Sequence, residues 1–283
     1  MADLRVCITF DHDNASSFIS RGWTSPTLIS RGDFGIVAVP RILAMLKRLG
    51  VPSTWFIPGH TIQSYPGCAE KVRDAGHEIG HHGWTHRLPT SLTREQEEEE
   101  LVRGIDAIHT MTGAAPRGYR SPAWDLSPNS VELLLTHGFE YDSSMMGHDV
   151  LPYQVRSGDG ISLLEPMTFG PDTTLVELPV AWALDDHPHF EFTRYDNAIL
   201  PGLAATRNVE ANWVDEYLFH KREADWGVVT YTFHPHVIGR GHRMLLLERL
   251  IERLAAEGAT FVTMAEALDA YRARFPKGIS LRP

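Results

Sequence analysis

The chain has 283 residues, of which 43% are apolar and 22% charged, and its formal net charge at pH 7 is -10. These values are typical of a folded protein and exclude a disordered, collagen-like or coiled-coil chain. The acidic balance argues against a nucleic-acid partner, because binding to a phosphate backbone depends on clustered cations. The two cysteines, Cys7 and Cys68, are too few for a disulfide framework.

The apolar segment near the N-terminus ends at Phe10. A signal peptide needs a longer apolar stretch, of about 7–15 residues, and a membrane span needs about 18 or more. We therefore expect a cytoplasmic protein without a membrane partner. No repeat or linker interrupts the sequence, so we expect a single domain over residues 1–283. A homo-oligomer, either a dimer or a tetramer, is compatible with this interpretation.

Short apolar segments alternate with amphipathic ones along the chain. After the first strand, a long polar loop is predicted at 11–35. Strands are predicted at 4–10, 51–57, 117–120, 139–143, 174–182, 227–234 and 260–263. Helices are predicted at 37–49, 68–74, 93–111, 128–137, 209–224, 243–256 and 265–274. This alternation predicts βα units around a parallel sheet, either a barrel or a doubly wound sheet.

Several residues mark helix boundaries. Pro40 is predicted to lie in the first turn of helix 37–49, where its missing N–H group does no harm. Gly50 fits the end of that helix. Thr93 and Gln96 predict a capping box at the start of helix 93–111. The glutamates at 95 and 97–100 are predicted to form a solvated helix face rather than a metal or partner site.

Acidic residues follow the first predicted strand. Because strand side chains alternate, Asp11 and Asp13 are expected to point to one side and His12 to the other. Two carboxylates that face one site repel each other, so one of them needs a proton, a cation or a metal ion. A solvated acidic turn is the alternative interpretation of this segment.

Four of the 15 histidines lie within residues 77–86. Residues 77–81 match the HExxH pattern of zinc proteases, but Gly76 and Gly80 argue against the helix that this motif requires. His82 and His86 are spaced so that both imidazoles can reach one ion, and neutral imidazole suits zinc and its neighbours. Two histidines and a carboxylate also bind non-haem iron, but the sequence lacks a cosubstrate signature.

The motifs at 9–13, 78–86, 117–122 and 233–236 occur in the order seen in polysaccharide deacetylases. The chain resembles this family, the nodulation-deacetylase homology domain or carbohydrate esterase family 4, from residue 5 to about residue 267. The resemblance implies a distorted (β/α) barrel and a divalent metal ion, zinc being expected, held by one Asp and two His. It also implies hydrolysis of an amide C–N bond, typically in an N-acetyl group.

The resemblance also implies roles for individual residues. The family's first motif has two adjacent aspartates, whereas position 12 here is His. By strand parity we expect Asp11 to be the base and Asp13 the metal ligand, with His12 left open as the alternative ligand. His82 and His86 are the expected histidine ligands.

Two other motifs contain further residues with expected catalytic roles. Arg120 is expected to orient Asp11, and His234 is expected to protonate the leaving nitrogen. The family's fourth motif is not clearly present, and Asp142 is the candidate for its aspartate. The remaining candidates are residues expected to line the substrate pocket: His12, Trp84, Trp124, Trp182 and His236.

The Asp-x-Asp form, together with residues 141–144, 184–189 and 234–240, is similar to one branch of the family. That branch contains peptidoglycan deacetylase-like, cyclic imide hydrolase-like and allantoinase-like proteins. Asp185, Asp186, His187 and His189 are interpreted as part of a substrate-facing loop, with a second metal site as the alternative.

We therefore expect a hydrolase of non-peptide C–N bonds that acts on an N-acetylated sugar or on a small amide such as a cyclic imide or ureide. The small amide is slightly favoured, because the segments 11–35 and 145–172 are long enough to close a pocket. The alternative is a catalytically inactive binding protein that keeps the fold. The retained catalytic and ligand candidates argue against it: Asp11, His82, His86, Arg120 and His234.

Overall fold

The computed structural model describes residues 3–194, 199–200 and 202–282. The strands of the described residues form one large sheet and a short hairpin. Those of the large sheet are β1 (Asp3–Asp11), β2 (Thr54–Ile57), β3 (Glu78–His81), β4 (Gly118–Tyr119), β5 (Tyr141–Asp142), β6 (Tyr153–Arg156), β7 (Asp172–Glu177), β10 (Trp226–Phe233) and β11 (Thr260–Phe261). The hairpin contains β8 (Thr193–Arg194) and β9 (Ile199–Leu200).

Helices follow most of the strands. They are α1 (Ser16–Ile19), α2 (Pro26–Asp33), α3 (Gly35–Leu49), α4 (Gly59–Ser64), α5 (Pro66–Asp74), α6 (Arg94–Thr112), α7 (Ser130–Thr136), α8 (Asp186–Phe190), α9 (Thr206–Glu223), α10 (Pro235–Ile238), α11 (Gly241–Ala256) and α12 (Met264–Arg274). Among the described residues, none of these helices combines the length and the hydropathy that a membrane crossing requires.

The large sheet has the order β10-β1-β2-β3-β4-β5-β7-β6, with β11 also paired to β1. All pairs are parallel except β6 with β7. The curled sheet and its surrounding helices form the expected distorted (β/α) barrel. Parallel pairing brings the carboxyl ends of β1, β3 and β10 to one edge of the sheet, where functional side chains of such folds collect.

Strand β1 lies inside the protein and contributes side chains to both of its faces. Val6, Ile8 and Phe10 belong to the principal core cluster. Cys7 faces the opposite side and joins the cluster that includes Leu268 of α12. Burying one such aliphatic or aromatic side chain contributes about 1.5–3 kcal/mol. This two-sided burial explains why β1 reads as a continuous apolar run.

Two sequence predictions at the start of the chain are wrong. The segment 11–35 is not one loop but contains α1 and α2. Pro40 lies inside α3 rather than in its first turn, because α3 begins at Gly35. A Cβ atom at Gly35 would overlap the side chain of Asn14, so this glycine serves close packing instead of ending a helix.

Other boundary signals behave as predicted, with one exception. Gly50 ends α3 in the left-handed conformation, and Thr93 with Gln96 forms the capping box of α6. The glutamate run on α6 is only partly solvated, because Glu97 is buried and accepts hydrogen bonds from two serine hydroxyl groups. Hydrophobic periodicity gives no sign of these partners, Ser127 and Ser130, because the contact is a tertiary one.

Candidate active site

Asp13, His82 and His86 converge at the carboxyl edge of the sheet. His82 follows β3, and the turn from Gly83 to His86 returns the second imidazole towards the first. His82 Nε2 lies 3.4 Å from Asp13 Oδ1, and His86 Nε2 lies 3.4 Å from Asp13 Oδ2. Gly83 and His86 both have positive φ angles, of 71° and 61°. A non-glycine residue in this conformation is strained, and such strain is often found at functional sites.

The donor atoms of this cluster fit a divalent cation. His82 Nδ1 donates to the carbonyl oxygen of Arg120 at 2.7 Å, which leaves the lone pair of Nε2 directed towards Asp13. Neither His82 Nε2 nor Asp13 Oδ1 has a hydrogen-bond partner among the described residues, although both are buried. Orphaned buried polar atoms are unfavourable, and one carboxylate with two imidazoles is a common donor set for catalytic zinc.

Asp11 lies beside this cluster as an ionised base candidate. Its Oδ2 is 3.9 Å from His82 Nε2, and its Oδ1 accepts a hydrogen bond of 2.8 Å from Arg120 Nη1. Burial acts to raise the pKa of Asp11, but the charge and hydrogen bond of Arg120, together with the charge of His234, hold the pKa below its ordinary value. The arrangement keeps Asp11 charged and ready to accept a proton.

Arg120 is fully buried and its orientation is fixed by several contacts. Its guanidinium group donates to Thr9 Oγ1 at 2.8 Å and to the backbone oxygen and hydroxyl group of Ser143, both at 3.0 Å. The group also lies over the ring of Phe56, 4.2 Å from its centroid. These contacts hold the cation in one position against Asp11.

His234, at the end of β10, is paired with a carboxylate from α8. Its Nδ1 lies 2.8 Å from Asp186 Oδ1 and 3.5 Å from Asp185 Oδ1. Burial acts to lower the pKa of His234, but the two carboxylates outweigh it and raise the pKa to about 10. The imidazole is therefore cationic at neutral pH, the form that can donate a proton to a leaving group.

The candidate for the fourth-motif aspartate, Asp142, does not contact His234. It accepts a hydrogen bond from Ser144 Oγ at 2.7 Å, and its pKa is raised by burial together with that of the neighbouring Glu177. The carboxylate hydrogen-bonded to His234 Nδ1 is that of Asp186. The sequence pattern could not distinguish the two aspartates, because the contact between α8 and β10 is a tertiary one.

The segment 185–189 is not a loop but the N-cap and most of α8, and its polar side chains lie in two different surroundings. Ligand atoms of Asp185, Asp186 and His234 lie within 4.8 Å of one another, which is also compatible with a cation. Both oxygens of Asp186, however, accept the backbone N–H of His234, at 3.0 and 3.1 Å. His189 is outside this group and bonds the carbonyl oxygen of Ala183. The geometry therefore favours orientation of His234 over a second metal site.

A cavity of about 170 Å³ opens onto the cluster that contains Asp13 and His86 and onto His234 with its partner Asp185. The indole rings of Trp124 and Trp182 stack with centroids 4.2 Å apart and form one wall. The cavity is lined by Asp11, Asp13, Ser17, Arg21, His86, Ala123, Trp124, Trp182, Asp185, His187 and His234.

Three residues expected to line this cavity lie elsewhere. His12 is buried on the opposite side of β1, with its ring edge on Trp55. Trp84 lies under the guanidinium group of Arg103 and lines a different cavity. His236 lines a third cavity. Strand alternation over residues 11–13 explains why the His12 side chain points away from the cavity. The directions of the Trp84 and His236 side chains depend on the turn after β3 and on helix α10.

Glu100 on α6 supports the loop that carries the two histidines. Its Oε2 accepts the backbone N–H groups of Trp84 and Thr85, at 3.1 and 3.0 Å. The sequence pattern predicts a solvated face for Glu100, because no local pattern reveals its partners. The carboxylate therefore ties the backbone between His82 and His86 to a long helix.

The distorted barrel and the acidic and histidine side chains at its carboxyl edge are typical of hydrolases, and comparisons with known proteins agree. The family model described as polysaccharide deacetylase matches residues 31–141. The chain is 38% identical over 268 residues to the peptidoglycan deacetylase of Helicobacter pylori, covering 90% of this chain and 91% of that one. The chain belongs to the polysaccharide deacetylase family. It is accordingly a hydrolase of C–N bonds other than peptide bonds.

Solved structures show the same architecture. A Mycobacterium smegmatis protein assigned to the polysaccharide deacetylases is 32% identical, with a TM-score of 0.86, covering 100% of this chain and 95% of that one. The PuuE allantoinase superposes with a TM-score of 0.80 at 20% identity, covering 97% and 92%. At that identity the second similarity concerns the fold alone.

Proposed function

We propose that the chain is a metal-dependent deacetylase of N-acetylated amino sugars. The observation that carries this proposal is the buried cluster of Asp13, His82 and His86, with the ionised Asp11 directly beside it. The similarity to a peptidoglycan deacetylase over nine-tenths of the chain supports the sugar substrate. We also propose that the whole chain forms one catalytic domain.

Asp13, His82 and His86 would hold the divalent cation, and the nitrogen-rich donor set favours zinc. A cation bound there would polarise the substrate carbonyl and make water a stronger acid. The hydrogen bond from His82 Nδ1 to the carbonyl oxygen of Arg120 fixes the imidazole in position. Hydrogen bonds of this kind to a ligand residue raise the affinity of a metal site.

The side chains around the cluster divide the proton transfers between them. Asp11 takes the proton of the attacking water, and Arg120 keeps the carboxylate ionised and oriented. His234 gives a proton to the departing nitrogen, because an unprotonated amine anion leaves poorly. Asp186 holds His234 in its cationic form and fixes its orientation.

The stacked indoles of Trp124 and Trp182 support a sugar substrate, because flat apolar rings beside a few polar groups suit a saccharide face. Trp182 is 42% exposed, so its ring is available to a ligand. A cyclic imide or ureide is the second candidate. It is favoured by the small volume of the cavity, about 170 Å³, which suits a compact ring.

The test is a side-by-side assay of N-acetylglucosamine oligomers, succinimide and allantoin, with the metal-free protein reloaded with Zn²⁺. We expect acetate release from the oligomers to exceed ring opening. Asp11→Asn should retain zinc but lose a factor of about 10²–10⁴ in turnover. Faster turnover of either ring would establish the second candidate. Absence of turnover on all three substrates by a zinc-loaded protein would favour the inactive binding protein.

A further inference from the structure

A second cavity, of about 670 Å³, lies beside the first turn of α11. It shares no lining residue with the cavity at Asp11 and Asp13. Its walls come from α2, from the segment after α8, from α10 and from α11. Because neither the metal cluster nor the proposed catalytic side chains line it, its ligand would differ from the reacting amide.

The walls of this cavity carry an excess of positive charge. Arg31, Arg240 and Arg243 line it, whereas Glu191 is the one carboxylate among the lining residues. Glu191 forms an ion pair with Arg31. Burial, and secondly the other two guanidinium groups, lower the pKa of Arg31. Three cations facing one carboxylate repel one another, and an anion between them would relieve this repulsion.

Two buried polar atoms of the lining residues have no partner among the described residues. Arg243, only 8% exposed, donates from Nη1 to Val237 and from Nη2 to Phe190, but its Nε is unpaired. His236, 4% exposed, has an unpaired Nδ1. Both atoms are covered by surrounding atoms, so they lie behind the cavity wall and add to its buried polar character.

The N-terminus of α11 adds a third contribution. This helix of 16 residues begins at Gly241 without a side-chain cap and without an acidic residue in its first turn. Gly241 lines the cavity, and the space where a Cβ atom would lie is open. The free N–H groups and the partial positive charge of a helix N-terminus attract anions.

We propose that this cavity is a binding site for an oxyanion, a phosphate or carboxylate group of a small molecule. Arg240 and Arg243 provide its charge, and the first turn of α11 provides backbone donors. The guanidinium carbon of Arg240 lies over the Phe34 ring, 3.5 Å from its centroid, and this contact holds the side chain in place. Arginine is suited to this role because its planar fork matches both groups.

The experiment is a calorimetric titration of the metal-free full chain with inorganic phosphate at constant ionic strength. The primary variant is Arg240→Met, which keeps the apolar stem over Phe34 and removes the charge. We expect saturable binding by the wild type and at least about tenfold weaker binding by Arg240→Met, because hydrogen bonds to charged groups are strong. Arg240→Lys should recover part of the affinity.

The matched control is Arg222→Met, which removes an exposed arginine on α9. It should bind phosphate as the wild type does. A parallel titration with acetate separates the two anion types, and preference for either supports the site. Binding that is absent in the wild type, equal in Arg240→Met, or lost only in His86→Ala would overturn the proposal, since the last result would place the anion at the metal cluster.

Discussion

His234 and Asp186 are joined by a hydrogen bond of 2.8 Å although 48 residues separate them in the chain. The backbone N–H of His234 also binds the Asp186 carboxylate, so both the orientation and the charge of the imidazole depend on one side chain. The pair unites the end of β10 with α8, a short helix that the sequence showed only as a polar segment.

Replacing Asp186 should change the pH dependence of turnover. The pKa of His234 is raised from its ordinary value to about 10, so the cationic form persists well above pH 6.5 and is lost as the pH rises towards 10. In Asp186→Asn the imidazolium loses its partner and the alkaline limb of kcat/KM should move to lower pH. An alkaline limb that stays at the wild-type position would contradict this role.

Removing a proposed metal ligand should abolish metal retention. Asp13→Ala and His86→Ala each delete a donor from the buried cluster, and the loss of zinc affinity should exceed the ~10–100-fold typical of changing an outer contact. Elemental analysis of the purified variants measures the metal content. His109→Ala, an exposed histidine on α6, is the control and should retain the wild-type content. Full occupancy of the ligand variants would refute the assignment.

Replacing Arg120 should affect stability and acid tolerance together. Arg120→Met leaves Asp11 buried without its partner, which should lower the free energy of unfolding by about 3–5 kcal/mol in urea titrations. The pKa of Asp11 would rise, because burial would no longer be opposed by the adjacent guanidinium group. The acid limb of kcat/KM should therefore move to higher pH.

The double variant Arg120→Met/Asp11→Asn separates the two effects. Removing the buried charge should recover part of the stability while activity stays low. If the single and double variants unfold at the same urea concentration, the ion pair is not the reason for the loss.

Weakening the hydrogen bonds that hold the backbone between His82 and His86 should weaken metal binding without deleting a ligand. Glu100→Gln replaces the charged acceptor of the Trp84 and Thr85 N–H groups by a neutral amide. We expect zinc affinity to fall by about 10–100-fold, measured by competition with a chelator. Glu99→Gln, on the exposed side of the same helix, should bind zinc as the wild type does. Equal affinities in both variants would contradict the role of Glu100.

The sequence by itself determined the strands that alternate with helices, because hydrophobic periodicity is a local property of the chain. It also indicated the cluster of Asp13, His82 and His86: strand alternation turned Asp11 and Asp13 to one side, and the spacing of the histidines suited a single turn. In the structure the Nε2 atoms of His82 and His86 each lie 3.4 Å from an oxygen of Asp13. The assignment of catalytic roles remains a prediction that the proposed variants test.

Only the tertiary structure decided which distant side chains meet. Contacts between separate elements place Asp186 rather than Asp142 beside His234. They also bring Glu100 to the backbone after His82 and place Trp84 outside the cavity. Hydrogen bonds of this kind are set by how helices and loops pack on the sheet, and no local pattern in the sequence encodes their partners. Residue types can therefore indicate the chemistry, whereas packing determines which groups carry it out.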